Sequence, residues 1–257
     1  MRKLNNYFTT YEKIWFISVT ILAIVFALIF PEEDINGTSG KLITILYLID
    51  IFSNVLCELL IAKQSRWNFV VSLFFVEVVE ILICVLLKYR FATMLVTILF
   101  WIPADIISFI TWTKNKDEEE KYLTKVKKLS KYSEILIIFA IIMYTITVGS
   151  ILVFITDGIS ITTLFNGNRN IEIICLYIDA FVSAAAICNG IFILFRIEEQ
   201  WIAWFISTIG ETIINILSGQ YILLVLKAGY LTNTTYGLIK WDKYIKKHKE
   251  EKKQKLL

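Results

Sequence analysis

Eight apolar segments, separated by short polar or charged stretches, make up most of the sequence. Most of them are about twenty residues long, the length that an α-helix needs to cross the hydrocarbon core of a bilayer. In lipid every backbone amide must be hydrogen-bonded within the protein, so these segments are predicted to be helices. The composition agrees, because 57% of the residues are hydrophobic and the mean hydropathy is +0.66. The sequence therefore predicts an all-α polytopic membrane protein and excludes a soluble domain of this length.

Positive charge fixes a predicted orientation for these spans. The spans cover residues 14–30, 42–62, 69–87, 91–112, 132–155, 171–195, 201–217 and 220–241. Most of the 26 lysine and arginine residues fall in the N-terminal arm, in a charged connector after the fourth span, and after the eighth span. Since such residues concentrate on the cytoplasmic side, both termini are predicted to be cytoplasmic, with loop 156–170 outside.

The sequence contains an internal repeat. The stretch LYLIDIFSNVL in the second span resembles CLYIDAFVSAA in the sixth, so that Asp50 corresponds to Asp179. The fourth and eighth spans both end at a tryptophan, Trp112 and Trp241. Two units of three spans therefore run in the same direction, and the fifth span is the linker that makes this possible. Duplicated halves around a central site are typical of transporters.

The repeat divides the chain into five predicted parts. They are an N-terminal cytoplasmic arm with an added helix and an outer loop, a first three-helix bundle, a connector with the linker helix and a second outer loop, a second three-helix bundle, and a basic cytoplasmic tail. Their bounds are residues 1–41, 42–112, 113–170, 171–241 and 242–257.

The seventh span carries polar and aromatic residues at intervals of three or four: Trp201, Trp204, Thr208, Glu211 and Asn215. This spacing places them on one face of a helix. In hydrocarbon, such polar groups need polar partners or water. The pattern predicts a small polar cavity between helices, with flat aromatic walls for a planar ligand. Either tryptophan is alternatively a residue of the interfacial aromatic belt.

Two roles are open for the carboxylates in the apolar segments. Burying one in the membrane costs about 2.5–3.5 kcal/mol or more, so Asp105 and Glu211 either form a network between helices or recognise a cationic, hydroxyl-rich solute. Glu77 falls at the position of the first unit that matches Glu211. Lys227 either pairs with Glu211 or extends towards the interface. The candidate substrate-binding residues are Trp101, Asp105, Trp201, Trp204, Thr208, Glu211, Asn215 and Asn233.

Three motifs resemble those of a known family. WIAW followed by Thr208 is similar to a W-x-x-W-x-x-x-N/T pattern, and YGLIKW closes the last span. FWIPADIISFITW is similar to an F-x-P-x-Q stretch, with Asp105 where glutamine is common. On these motifs the chain resembles the Pnu-type vitamin transporters.

This resemblance implies a fold like that of the SWEET sugar transporters, with eight transmembrane helices: two parallel three-helix bundles, a linker helix and one extra N-terminal helix. It also implies facilitated diffusion, in a bacterial cytoplasmic (inner) membrane, of a small aromatic vitamin or nucleoside. Nicotinamide riboside is the first expectation, and thiamine, riboflavin or a deoxynucleoside are alternatives. The implied partners are the substrate, membrane lipid, further copies of the chain and a cytoplasmic kinase that traps the substrate. No cofactor and no nucleic acid are implied.

Two functions of other classes compete with transport. A membrane enzyme is disfavoured because the only histidine, His248, lies in the tail, and the sequence contains no Ser/His or Cys/His pairing and no metalloprotease motif. A membrane receptor or scaffold without transport stays open, although the polar face and the duplication favour a transporter.

Overall fold

Helices account for nearly all of the computed structural model, which describes residues 8–115, 126–156, 165 and 168–254. The helices in this part of the chain are α1 (Thr10–Ile29), α2 (Gly40–Ala62), α3 (Asn68–Leu87), α4 (Phe91–Lys114), α5 (Lys131–Ile155), α6 (Arg169–Phe195), α7 (Gln200–Leu217) and α8 (Tyr221–Gln254). Their bounds lie close to the predicted spans, except that α8 continues beyond the predicted end at Trp241. The residues that follow are mostly lysine, glutamate and glutamine, which favour helix.

The eight predicted spans are supported unequally. Helices α1 to α6 are each long and apolar enough to cross a membrane. Helix α7 is 18 residues long, and the second half of α8 is rich in lysine. The crossing of α7 and α8 therefore stays a prediction. Residues 116–125 of the predicted connector and residues 157–164, 166 and 167 of the predicted outer loop lie outside the described residues, as do residues 1–7 and 255–257.

Six of the described helices form a closed ring. Helices α2, α3, α4, α6, α7 and α8 pack side by side in that order, and α8 returns to α2. Helix α1 packs outside the ring against α2 and α8, and α5 packs outside it against α6. The end where α2, α4 and α6 finish and α3, α5 and α7 begin is called the connector end here, and the opposite end is called the loop end. The ring surrounds the space in which the candidate site lies.

A buried carboxylate attaches α1 to the ring. Thr9 caps the start of α1, and its backbone N–H donates to Glu12 at 2.7 Å. The Glu12 carboxylate is fully buried and pairs with Lys63 at 2.9 Å and with Lys240 at 3.4 Å. It also accepts a hydrogen bond from the Tyr236 hydroxyl at 3.0 Å. Because a buried charge is tolerated only with such partners, α1 is held to the connector ends of both α2 and α8.

Two ring helices contain a widened, π-helical turn, which lies at residues 72–76 in α3 and at residues 97–101 in α4. The turn in α4 ends just before Pro103, which has no N–H to donate and whose ring crowds the carbonyl of Leu99. The sequence predicts a bend at Pro103. The helix accommodates the missing N–H and the crowded carbonyl through the widened turn before Pro103. Such turns often occur at functional sites because they redirect the side chains beside them.

Aromatic rings close the connector end of the ring. Trp112, Trp201 and Trp241 are buried there, with ring centroids 5.7 Å apart for Trp201 and Trp241 and 6.2 Å apart for Trp112 and Trp241. The indole N–H of Trp112 donates to the carbonyl of Ile193 at 2.8 Å. Gly237 makes room for Trp201, since a Cβ atom at Gly237 would lie 2.4 Å from its ring. Trp112 and Trp241, which end the two units of the repeat, therefore pack with Trp201 and close the bundle at this end.

The described end of the connector is fixed to the turn between α6 and α7. The N–H of Lys127 donates to the carbonyl of Arg196, and the N–H of Glu198 donates to the carbonyl of Lys127, both at 2.8 Å. The Lys128 ammonium lies 2.8 Å from the Glu198 carboxylate. This hydrogen bond raises the pKa of Lys128 above its ordinary value. The connector thus contacts the second unit directly.

Candidate functional site

A central cavity of about 140 Å³ lies inside the ring, and side chains of all six ring helices line it. The acidic and basic side chains of its lining are Asp50, Glu77, Glu80, Arg90, Asp105, Glu211 and Lys227. Carboxylates therefore outnumber basic groups in the lining. A cavity with an excess of carboxylates favours a solute that carries positive charge or many hydrogen-bond donors.

Both basic groups of the lining contact the same carboxylate. The Glu211 carboxylate lies 2.7 Å from the Arg90 guanidinium and 2.5 Å from the Lys227 ammonium. Arg90 also lies 3.9 Å from Glu80 and 3.8 Å from Asp179. Lys227 thus pairs with Glu211 rather than extending towards the interface. The charge of Glu211, one of the two carboxylates that the sequence offers for a cationic solute, is already compensated within the protein.

Asp179 supports this ion network from α6. Its carboxylate accepts a hydrogen bond from the N–H of Ala92 at 2.9 Å and another from the Thr93 hydroxyl. These contacts cap the start of α4, where Arg90 adopts a left-handed conformation with φ of 55°. A carboxylate at a helix N-terminus is favoured by the exposed N–H groups there. The cap holds Arg90 where its guanidinium reaches the cavity.

Asp50, which corresponds to Asp179 in the repeat, belongs to a separate series of hydrogen bonds. It lines the cavity and accepts a hydrogen bond from the side-chain amide of Asn54 at 2.8 Å. The oxygen of that amide in turn accepts a hydrogen bond from the Tyr230 hydroxyl. The Lys227 ammonium lies 4.8 Å from the centre of the Tyr230 ring. This series of hydrogen bonds links α2 to α8 across one wall of the cavity.

Aromatic rings form another wall. Trp204 is half-buried and lines the cavity, with the Tyr230 ring edge-on at a centroid distance of 5.6 Å. Trp201 lies behind Trp204, with the two rings nearly parallel at 11° and 6.0 Å apart. Trp101 and Phe69 contribute rings from α4 and α3. The packing fixes the plane of Trp204, as a stacking surface for a planar ligand requires.

Buried polar atoms without a hydrogen-bond partner line the same cavity. Apart from Nε of Arg90, which belongs to the ion network, these atoms in the described part of the chain are both side-chain polar atoms of Asn68, Oδ1 of Asn189, Oε2 of Glu77 and Oδ2 of Asp105. Each of these side chains is at most 4% exposed. Because buried polar groups are almost always hydrogen-bonded, these atoms need water or a polar solute in the cavity as a partner.

The predicted site residues divide into two groups. Those that line the cavity are Trp101, Asp105, Trp204 and Glu211. Those that are buried outside its lining are Trp201, Thr208, Asn215 and Asn233. The Thr208 hydroxyl donates to the carbonyl of Trp204 at 2.7 Å, and the Asn233 amide donates to Glu58 at 3.2 Å. The side-chain amide of Asn215 has no partner among the described residues. The face of α7 that lines the cavity is formed by Trp204, Ser207 and Glu211.

The predicted set lacks four prominent lining residues, Asn68, Arg90, Asn189 and Tyr230. The repeat carries a signal for one of them. When the two units are aligned through their final tryptophans, Trp101 corresponds to Tyr230, and both line the cavity. Asn68 and Asn189 carry no comparable signal, because Asn68 begins α3, where an asparagine is ordinarily a cap, and Asn189 is a single amide within an apolar span.

Comparisons with known proteins agree with this architecture. The profile of a family described as nicotinamide mononucleotide transporter matches residues 44–243, which begin within α2 and end within α8. The nicotinamide riboside transporter PnuC of Neisseria mucosa is 22% identical over 266 residues, covering 96% of this chain and 86% of that protein. A crystal structure of the vitamin B3 transporter PnuC superposes with a TM-score of 0.69 at 20% identity, covering 96% of this chain and 97% of that chain.

Proposed function

The chain belongs to the nicotinamide mononucleotide transporter family, and from this premise we propose that its central cavity binds nicotinamide riboside and carries it across the membrane. The chain is a multi-pass membrane transporter and not an enzyme. The observation that carries the proposal is the composition of the cavity. It combines aromatic rings, unpartnered carboxylate and amide groups, and basic groups that are already paired.

The chemistry of nicotinamide riboside matches this lining. Its pyridinium ring is planar and positively charged, so it stacks favourably on Trp204 and is attracted by the faces of Trp101 and Tyr230. Its carboxamide and ribose hydroxyls both donate and accept hydrogen bonds. The amides of Asn68 and Asn189 offer donors and acceptors for them.

The same lining favours the riboside over its phosphorylated form, nicotinamide mononucleotide. A phosphate group needs arginine, lysine or free backbone N–H groups to compensate its charge. Arg90 and Lys227, the basic groups of the described lining, both contact Glu211. A phosphate would therefore meet paired cations and further carboxylates such as Asp50 and Glu80. In a site of low dielectric this repulsion is stronger than in water.

The proposed transport mode is facilitated diffusion in a bacterial inner membrane, with all eight helices crossing. The two units of the ring, α2–α4 and α6–α8, would act as the two parallel bundles of a SWEET-like fold, with α5 as linker and α1 as an added helix. A cytoplasmic kinase that phosphorylates the imported riboside would trap it, since the cavity disfavours phosphate. Membrane lipid surrounds the chain in this proposal, and copies of the chain associate as a homo-oligomer.

Calorimetric titration of the purified protein tests the choice of substrate. Nicotinamide riboside should bind, and nicotinamide mononucleotide should bind at least about tenfold more weakly, because its phosphate lacks an unpaired cation. Thiamine, riboflavin and a deoxynucleoside serve as the comparison set and should also bind more weakly. Equal affinity for the mononucleotide, or tighter binding of any member of the comparison set, would overturn the assignment of nicotinamide riboside.

The proposed orientation is tested by cysteine labelling in whole cells. Glu33 is exposed at the loop end and Lys246 is exposed beyond the connector end. In a background without the native cysteines, Glu33→Cys should react with a membrane-impermeant maleimide, because the loop end is proposed to face outwards. Lys246→Cys should react only after the membrane is permeabilised. The opposite pattern would place the termini outside.

A further inference from the structure

We propose that Glu77 and Asp105 form a carboxylate subsite that selects the positively charged, oxidised ring of nicotinamide riboside over the neutral ring of its reduced form. This inference rests on the proposed function, and it adds the charge and redox state of the ligand that the site accepts. The two forms share the carboxamide and the ribose, so discrimination between them depends mainly on the charge of the ring.

The fold brings the two carboxylates together. Glu77 follows directly after the π-helical turn of α3, and Asp105 follows the π-helical turn of α4 and Pro103. Each turn adds one residue to the helix and so rotates the side chains that follow it. The Ser72 hydroxyl donates to Oε1 of Glu77 at 3.0 Å and also interacts with Asp105, and the two carboxylates interact electrostatically with each other.

Glu77 and Asp105 differ from Glu80 and Glu211, which form ion pairs, and from Asp50, which accepts a hydrogen bond from Asn54 and is attracted by Lys227. In the part of the chain that the structure describes, Arg90 pairs with Glu80, Asp179 and Glu211, and Lys227 pairs with Glu211. Over the same residues no basic side chain forms an ion pair with Glu77 or Asp105. The Arg90 and Lys227 network thus leaves a separate pair of carboxyl groups in the same cavity, whose negative charge a ligand cation would balance.

Neighbouring groups indicate that the pair faces a ligand. Oε2 of Glu77 and Oδ2 of Asp105 have no hydrogen-bond partner, although their side chains are only 4% and 3% exposed. The side-chain amide of Asn68, which is fully buried and unpartnered, lines the same cavity. Trp101 lies one helical turn before Asp105 and adds an aromatic face. A planar cation beside these groups would gain both electrostatic attraction and stacking.

Glu211 does not take this role, because its charge is already shared by Arg90 and Lys227. A cation near Glu211 would meet two positive groups within 2.7 Å of that carboxylate. Electrostatic selection of the ligand is therefore assigned to the first unit of the repeat, which contains Glu77 and Asp105. Glu211, at the position of the second unit that matches Glu77, instead connects α8 to the loop before α4.

The experiment measures binding of the oxidised and the reduced riboside to the same purified proteins. The parent protein should prefer the oxidised form by about tenfold or more, because only that form carries a charge for the subsite. Glu77→Gln and Asp105→Asn keep size and hydrogen bonding, and each should reduce this preference by about threefold to tenfold. The double variant should bind both forms alike. Because the readout is a ratio on one protein sample, a partial loss of folded protein does not alter it.

Glu58→Gln is the matched control, since Glu58 is a fully buried carboxylate of α2 outside the lining. It should keep the ratio of the parent. A double variant that also keeps the parent ratio would overturn the subsite while leaving the proposed function intact. Failure of the parent to bind either form would instead overturn the proposed function, and the subsite with it.

Discussion

Replacing Arg90 with methionine should lower the free energy of unfolding by about 3–5 kcal/mol, the range found when one partner of a buried ion network is removed. Arg90 is only 9% exposed and lies within 4 Å of carboxylates from three helices, namely Glu80, Asp179 and Glu211. Without the guanidinium, these carboxylates lose their shared counter-charge in a buried setting. Denaturant or thermal unfolding of the detergent-solubilised protein measures the loss.

Two further variants separate charge balance from simple loss of a side chain. Arg90→Met combined with Glu80→Gln removes one positive and one negative charge and leaves the pair of Lys227 and Glu211 intact, so it should be less destabilising than Arg90→Met alone. Lys41→Met removes a positive charge from an exposed position of α2 and should change stability by less than about 1 kcal/mol. Arg90→Met and Lys41→Met with equal unfolding midpoints would show that the network does not stabilise the fold.

Trp204→Ala should weaken binding of nicotinamide riboside by about 1–3 kcal/mol, the usual value of stacking an aromatic base on an aromatic side chain. This corresponds to roughly a fivefold to 150-fold rise in Kd. Trp204 is the expected stacking surface because its ring is half-buried at the cavity wall, whereas Trp201 is fully buried behind it. Calorimetric titration of folded variant and parent measures the difference.

Trp204→Phe and Trp67→Ala provide the controls. Phenylalanine keeps an aromatic face, so Trp204→Phe should retain most of the affinity. Trp67 holds the position in the first unit that corresponds to Trp201, but it is 55% exposed and lies outside the lining. Trp67→Ala should leave Kd unchanged. An unchanged Kd in folded Trp204→Ala would assign Trp204 to the interfacial belt.

The helices follow from the sequence because their signal is local. Apolar runs of membrane-spanning length alternate with charged or turn-forming stretches, and each helix end falls near such a break. Helix α8 is the exception, since the loss of hydrophobicity after Trp241 ends the apolar run without ending the helix. Of the two π-helical turns only the one before Pro103 has a local cause in the sequence, because Ser72 and its neighbours contain no helix breaker.

The site was only partly predictable because its geometry is set between helices. The spacing on α7 predicts a face that includes Trp201 and Thr208, yet packing turns α7 so that Ser207 lies between Trp204 and Glu211 in the lining. Arg90 reads as a charge in an outer loop, where lysine and arginine are ordinarily solvated. Its burial depends on carboxylates far away in the sequence, which no local pattern identifies.

Half of the predicted site residues line the cavity, because polar residues within apolar spans are kept away from lipid. Asp105, Trp101, Trp204 and Glu211 are polar or aromatic residues inside apolar spans, and such residues are placed away from lipid. The same rule covers Asn215 and Asn233, which are equally shielded from lipid but lie outside the lining. The rule therefore separates the interior of the bundle from its lipid face, and only the packing of the helices separates a cavity wall from a buried contact.

Uptake of radiolabelled nicotinamide riboside into liposomes that contain the purified protein tests directly whether the protein transports this vitamin. Facilitated diffusion of the riboside predicts saturable uptake without an ion gradient, faster uptake when the liposomes are preloaded with unlabelled riboside, and competition by external riboside but not by nicotinamide mononucleotide. Uptake no greater than that of protein-free liposomes, or uptake that requires an ion gradient, would contradict facilitated diffusion of nicotinamide riboside through this cavity.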